Sequence, residues 1–230
     1  MLASALSRTA TQIVSPPFRF VLWKSLGLTL VLFVALWFAL EALAMPFLGP
    51  VLGPYPWVAT ALGWLLGAGL VVGAGFLLAP VSSVFAGLFL DEIAETVERT
   101  FYAADPPGRA LPLARSLAIA GKFLGLVIAA NLVALVLVLV LGLGVIVFFV
   151  VNGYLLGREY FQFAALRHVD RTTADRLRGE NEGTVFLGGL MIAALLAVPL
   201  ANLLTPLFAA ALMVHVWKGV QRREAIRAAG

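Results

Sequence analysis

Four long apolar stretches, residues 25–48, 57–80, 123–151 and 183–217, limit what this chain can fold into, and the last two run for 29 and 35 residues without a Lys, Arg, Asp or Glu. Crossing a hydrocarbon layer of ~30 Å takes about 20 apolar residues at ~1.5 Å per helical residue. No soluble core needs runs of this length. With 62% hydrophobic and 12% charged residues, too little polar surface remains to cover a water-soluble fold. The fold class is therefore an all-α integral membrane protein.

Residues 25–48 and 57–80, each about 36 Å as helix, read as two long transmembrane helices. "GPVLGPYP" between them reads as a tight turn with interfacial aromatics. The two longer runs exceed one simple crossing and fall short of two. They are also interrupted, by Gly142 and Gly144 in the first and by Pro199 and Pro206 in the second. Lys and Arg number three in residues 1–24, four in 91–122, five in 158–182 and four in 218–230, against none in 45–56. The positive-inside rule assigns all four basic segments to the cytoplasm. Both long runs then enter and return on one side, as two partly penetrating helical hairpins over regions 117–160 and 184–217. Charged cytoplasmic segments occupy 91–116 and 161–183, and residues 1–230 form a single polytopic membrane domain. In the competing layout each run is one tilted span plus an interfacial helix.

The composition also excludes chemistry. There is no cysteine, and His168 and His215 stand apart without an HExxH pattern, so neither a catalytic nor a metal site is expected. No cofactor is expected either. Without a GxxxxGK[ST] run, ATP-driven movement would require another chain. The net charge of +4 lies in membrane-flanking segments interleaved with acids, a pattern unlike a nucleic-acid surface. No removable signal is expected at the N-terminus, where Leu2, Leu6 and Ile13 permit an interfacial helix or a frayed tail.

After Pro80, Phe89, Ile93, Val97 and Phe101 recur at helical spacing, predicting an amphipathic helix closed by "DPPG", with Asp91, Glu92, Glu95 and Glu98 as a solvated face and Glu95 paired with Arg99. Glu41 is expected to be solvated where the first span leaves the membrane, and His215 to be interfacial. "RHVDRTTADRLRGENEG" reads as a capped, solvated helix.

Four segments, in order and spacing, resemble the CysZ sulfate permease family, grouped with the eukaryotic etoposide-induced membrane proteins: "SPPFRFVLWKSLGLTL", "LAPVSSVFAGLFLDEIAETVE", "NGYLLGREYFQF" and "PLANLLTP". The resemblance implies a multi-pass protein of the bacterial inner membrane that admits sulfate, channel-like, for cysteine biosynthesis. It also implies two long spans, two incompletely penetrating hairpins and a homo-oligomer. The alternative is a membrane scaffold or assembly factor without transport.

Sulfate is a strongly hydrated dianion, so its site must supply several directed donors and positive charge. In "SPPFRF", Ser15 would cap a helix, Pro16 and Pro17 would fill its first turn, and the amides of Phe18 and Arg19 would be free at the positive end of the dipole. Arg19 is the leading ligand. Related permeases tend to carry two adjacent arginines here; the second is Phe20 in this chain, which shifts duty to Lys24. Headgroup anchoring suits Arg19 and Lys24 equally. Gly153 and Gly157 would clear one helix face for a neighbouring backbone, with Arg158 a secondary anion ligand. Asn202, between Pro199 and Pro206, would satisfy main-chain groups at a hairpin tip or line a wet path, and Asn131 would do the same in the first hairpin.

Overall fold

The computed structural model describes residues 1–110, 112, 144–198 and 201–229. Asn131, Pro199, Gly142 and most of the region expected to form the first hairpin lie outside the described residues. Every regular element among the described residues is helical: α1 Leu2–Gln12, α2 Pro16–Leu52, α3 Pro56–Gly87, α4 Leu90–Phe101, α5 Gly144–Leu166, α6 Arg171–Glu180, α7 Glu182–Leu196 and α8 Thr205–Ala229, with a 3-10 turn at Ala201–Leu204. Three helical segments among these residues are long and apolar enough to cross a membrane: Pro16–Pro50, Gly144–Leu166 and Ala201–Ala229.

α2 and α3 contain the two stretches expected to span and extend beyond them at both ends. The turn is shorter than "GPVLGPYP" implied. Gly49 and Pro50 remain helical, the Gly53 amide donates to the Gly49 carbonyl at 2.9 Å, and Pro56 opens α3, where its missing N–H costs nothing. Inside the hairpin a buried hydrogen bond of 2.9 Å joins Thr29 Oγ1 to Ser82 Oγ, so each hydroxyl is satisfied away from water.

The 183–217 run is divided between α7, which ends at Leu196, and α8, which starts at Thr205, and the two pack together. α7, with 15 residues, reaches about 22 Å and does not cross the bilayer alone. α8 is the hub, contacting α1, α4, α5 and α7. Its residues 205–218 are all buried, and a helix enclosed on every side is apolar all round. Pro206 falls in its first turn, where it starts the helix without breaking it.

α5 and α7 meet through glycine. A Cβ at Gly157 would fall 2.6 Å from the Val185 carbonyl oxygen, one at Gly153 would fall 2.8 Å from Leu190 Cδ2, and one at Gly189 would overlap the Gly153 carbonyl itself. Small residues let two main chains touch, which is how packing stabilises helix pairs where lipid supplies no hydrophobic drive.

Two sequence expectations need correction. α1 is neither frayed nor merely interfacial: it docks on α8, burying Ala5, Thr9 and Gln12. The acidic face of α4 is only partly solvated. Glu95 does pair with Arg99 at 2.5 Å, and α6 is capped by Asp170, whose side chain accepts from the Thr172 and Thr173 amides. Glu98, however, is buried, for a reason given by its partners below.

Candidate functional site

The N-terminus of α2 is shaped by its sequence. Ser15 is the N-cap, in extended conformation, and Pro16 and Pro17 follow at the first two helical positions. Prolines carry no N–H, so two of the four donors that a helix start normally exposes are removed. The Arg19 amide is not free either: it donates to the Ser15 carbonyl at 3.1 Å. The two amides expected to be free are therefore not offered to a ligand: Arg19 donates to the cap carbonyl and Phe18 is fully buried. The Phe18 side chain is fully buried and fixes the turn, while Arg19 beside it is exposed. Among the described residues the Arg19 guanidinium has no carboxylate within 4.0 Å.

Lys24 stands differently. Its ammonium contacts Glu92 of α4 at 3.2 Å and lies 4.4 Å from the Phe20 ring centroid and 5.2 Å from that of Phe89. The aromatic ring at Phe20 therefore holds Lys24 by a cation–π contact. Its charge is largely spent on tying α2 to α4.

Arg158 belongs to α5, which packs on α6, α7 and α8, whereas Arg19 belongs to α2, which packs on α3 and α4. The two arginines are held by different neighbours. Asn202 lies in the 3-10 turn before α8, and its amide donates to the Val198 carbonyl at 2.8 Å.

A second polar constellation, which reading the sequence missed, ties α4 to the end of α5. Glu98 accepts from the Gly108 amide at 3.0 Å, lies 3.0 Å from His168 Nε2 and contacts the Arg167 guanidinium at 3.4 Å. Arg167 also binds Asp91. Burial alone would raise the Glu98 carboxyl, but the His168 hydrogen bond, the Gly108 amide and the Arg167 charge outweigh it and hold it down from 4.5 to about 2. At Asp91 burial prevails over Arg167, and its carboxyl is raised. Gly108 is required by close approach, since a Cβ there would come within 2.8 Å of Glu98 and 2.9 Å of Arg167. Asp91 and Glu98 are seven residues apart, so they share a helix face with Ala94. That coincidence of acids with a buried stripe was the available signal.

His215 is buried, not interfacial: its Nδ1 is 2.8 Å from the Tyr102 hydroxyl. Lys218 in the next turn of α8 is buried and bonds Asp105 at 3.3 Å. Both departures follow from the enclosure of α8, which forces its polar residues to find internal partners.

An all-α fold with three helices among the described residues long and apolar enough to cross a membrane defines an α-helical membrane protein. Residues 5–206 match the family described as sulfate transporter CysZ/etoposide-induced protein 2.4, and the chain belongs to it. No curated protein matches the chain.

Proposed function

We propose that the protein passes sulfate through the bacterial inner membrane, channel-like, in the service of cysteine biosynthesis. The observation that carries this reading is the exposed Arg19 guanidinium, without a carboxylate partner among the described residues, at the positive end of a helix long enough to span the bilayer. Family membership gives the reading its ligand, since sulfate transport is named in the family's description. With two prolines removing donors, the guanidinium carries more of the recognition than the main chain does. Lys24 positions α2 against α4, and Arg158, on the separate α5 face, lies further along the path. The hairpin arrangement belongs to the same reading: basic residues flank both apolar runs, and α7 is too short to cross alone. Asn202 and Pro206 then stand at the turn of the second hairpin, and the assembly is a homo-oligomer in the bilayer.

The test is influx of radiolabelled sulfate into liposomes carrying the purified protein under an inward gradient. Influx above empty vesicles is expected. Arg19→Gln should lower it about tenfold, the scale of one charge-assisted hydrogen bond. Folded wild-type protein giving no influx would overturn the proposal and leave the scaffold reading.

A further inference from the structure

A cavity of about 160 Å³ opens where α1, the segment after α4 and α8 meet, with Arg8, Tyr102, His215 and Arg222 among its lining residues. No acid lines it. Arg8 and Arg222 are both exposed, and among the described residues neither has a carboxylate within 4.0 Å. Both instead lie about the Tyr102 phenol: Arg8 Nη1 is 3.5 Å from its hydroxyl, and the Arg222 guanidinium is 5.5 Å from its ring centroid. The nearby Asp105 is bound by buried Lys218 at 3.3 Å, so it leaves the excess of positive charge uncancelled.

The inner wall is built as well as charged. His215 is 2% exposed, and its Nε2 has no hydrogen-bond partner although Nδ1 is 2.8 Å from Tyr102. Burial raises the Tyr102 phenol, although the Arg8 hydrogen bond and charge act the other way. The hydroxyl therefore keeps its proton. The Tyr102–Nδ1 contact is closed whichever of the two donates, so Nε2 is left as the unpartnered buried nitrogen of the ring. Buried polar atoms are ordinarily satisfied.

We propose that this cavity is an anion site, separate from the α2 N-terminus, that takes one tetrahedral oxyanion of phosphate type between Arg8 and Arg222. Guanidinium forks match the paired oxygens of such a group. The volume lies below the roughly 300–1,000 Å³ of sites for drug-sized ligands, so it suits a single phosphate group and is too small for a nucleotide. The group arrives either as the free ion or as the headgroup phosphate of an anionic lipid. The site does not rest on sulfate passage.

The experiment uses the full chain with Arg19→Gln in the background, so that the α2 site contributes nothing. Inorganic phosphate is titrated calorimetrically in detergent, and retention of phosphatidylglycerol is followed by native mass spectrometry. If the source is the free ion, Arg8→Gln with Arg222→Gln should weaken phosphate binding at least tenfold. If the source is lipid, wild-type arginines should retain phosphatidylglycerol and the double variant should lose it. Replacing both arginines by Lys should restore the larger part of either signal, as a folding defect would not. Binding of neither probe, or binding equal in the double Gln variant, overturns the site.

Discussion

The first and last apolar helices are built from similar residues and placed in opposite surroundings. In the most apolar window of α2 only 6% is buried within the protein, whereas in the window of α8 the share is 83%. Val31, Phe38 and Phe47 of α2 face outward, as they can where lipid tails are the solvent. α8 is instead wrapped by α1, α4, α5 and α7, and its Lys218, His215 and Trp217 are buried with it. Apolar character alone therefore says nothing about whether a membrane helix meets lipid or protein. The distinction lies in polar residues at inward positions, which lipid would penalise and a protein partner satisfies.

The largest test of this contrast strikes the buried side. Glu98→Ala would leave Arg167, whose side chain is 2% exposed, with Asp91 as its remaining carboxylate partner, so the loss falls at the low end of the cost of breaking a buried pair, about 3 kcal/mol. A comparable fall in unfolding free energy is expected in detergent titration. The same carboxylate sets a pH signature. Because its folded pKa is depressed from 4.5 to about 2, its contribution is complete above about 4.5 and disappears as pH falls from there through about 2. Glu98→Gln should lack that portion of the acid transition. Asp91, raised by burial, acts in the opposite sense and favours the folded state as it gains its proton.

A smaller loss is expected at the glycine contact. Gly189→Ala places a methyl against the Gly153 carbonyl, and overpacking of this kind costs about 1–3 kcal/mol. Its measurement is the same detergent titration, with α5–α7 proximity checked by crosslinking between introduced cysteines in a chain that has none.

The smallest effect belongs to the outward-facing side of α2. Phe38, 63% exposed, should tolerate Phe38→Ala with a change within about 0.5 kcal/mol, as surface positions do. A loss as large as that from Glu98→Ala would erase the contrast between the outward face of α2 and the enclosed region where α4 packs on α8.

What could be read from the sequence was local. Apolar length placed α2 and α3, the i, i+4 spacing from Phe89 to Phe101 placed α4, and Asp170 before its threonines marked the start of α6. Gly153 and Gly157 advertised a close approach, but their partner Gly189 lies more than thirty residues away, and no spacing rule reaches that far. Likewise, Glu98 meets Arg167 across 69 positions, so the acids of α4 passed for a wetted surface. At the α2 start, the sequence carried its own correction: two consecutive prolines remove two amides, and the cap carbonyl takes the Arg19 amide as the helix begins.

The contact of α5 with α7 through bare backbone has a mechanical side. Two rods that touch without a cushion of flexible side chains neither slide nor roll past one another, so a displacement of one carries the other as a single rigid body. Strain from any rearrangement then collects at the joints flanking that block, the junction between α7 and α8 foremost.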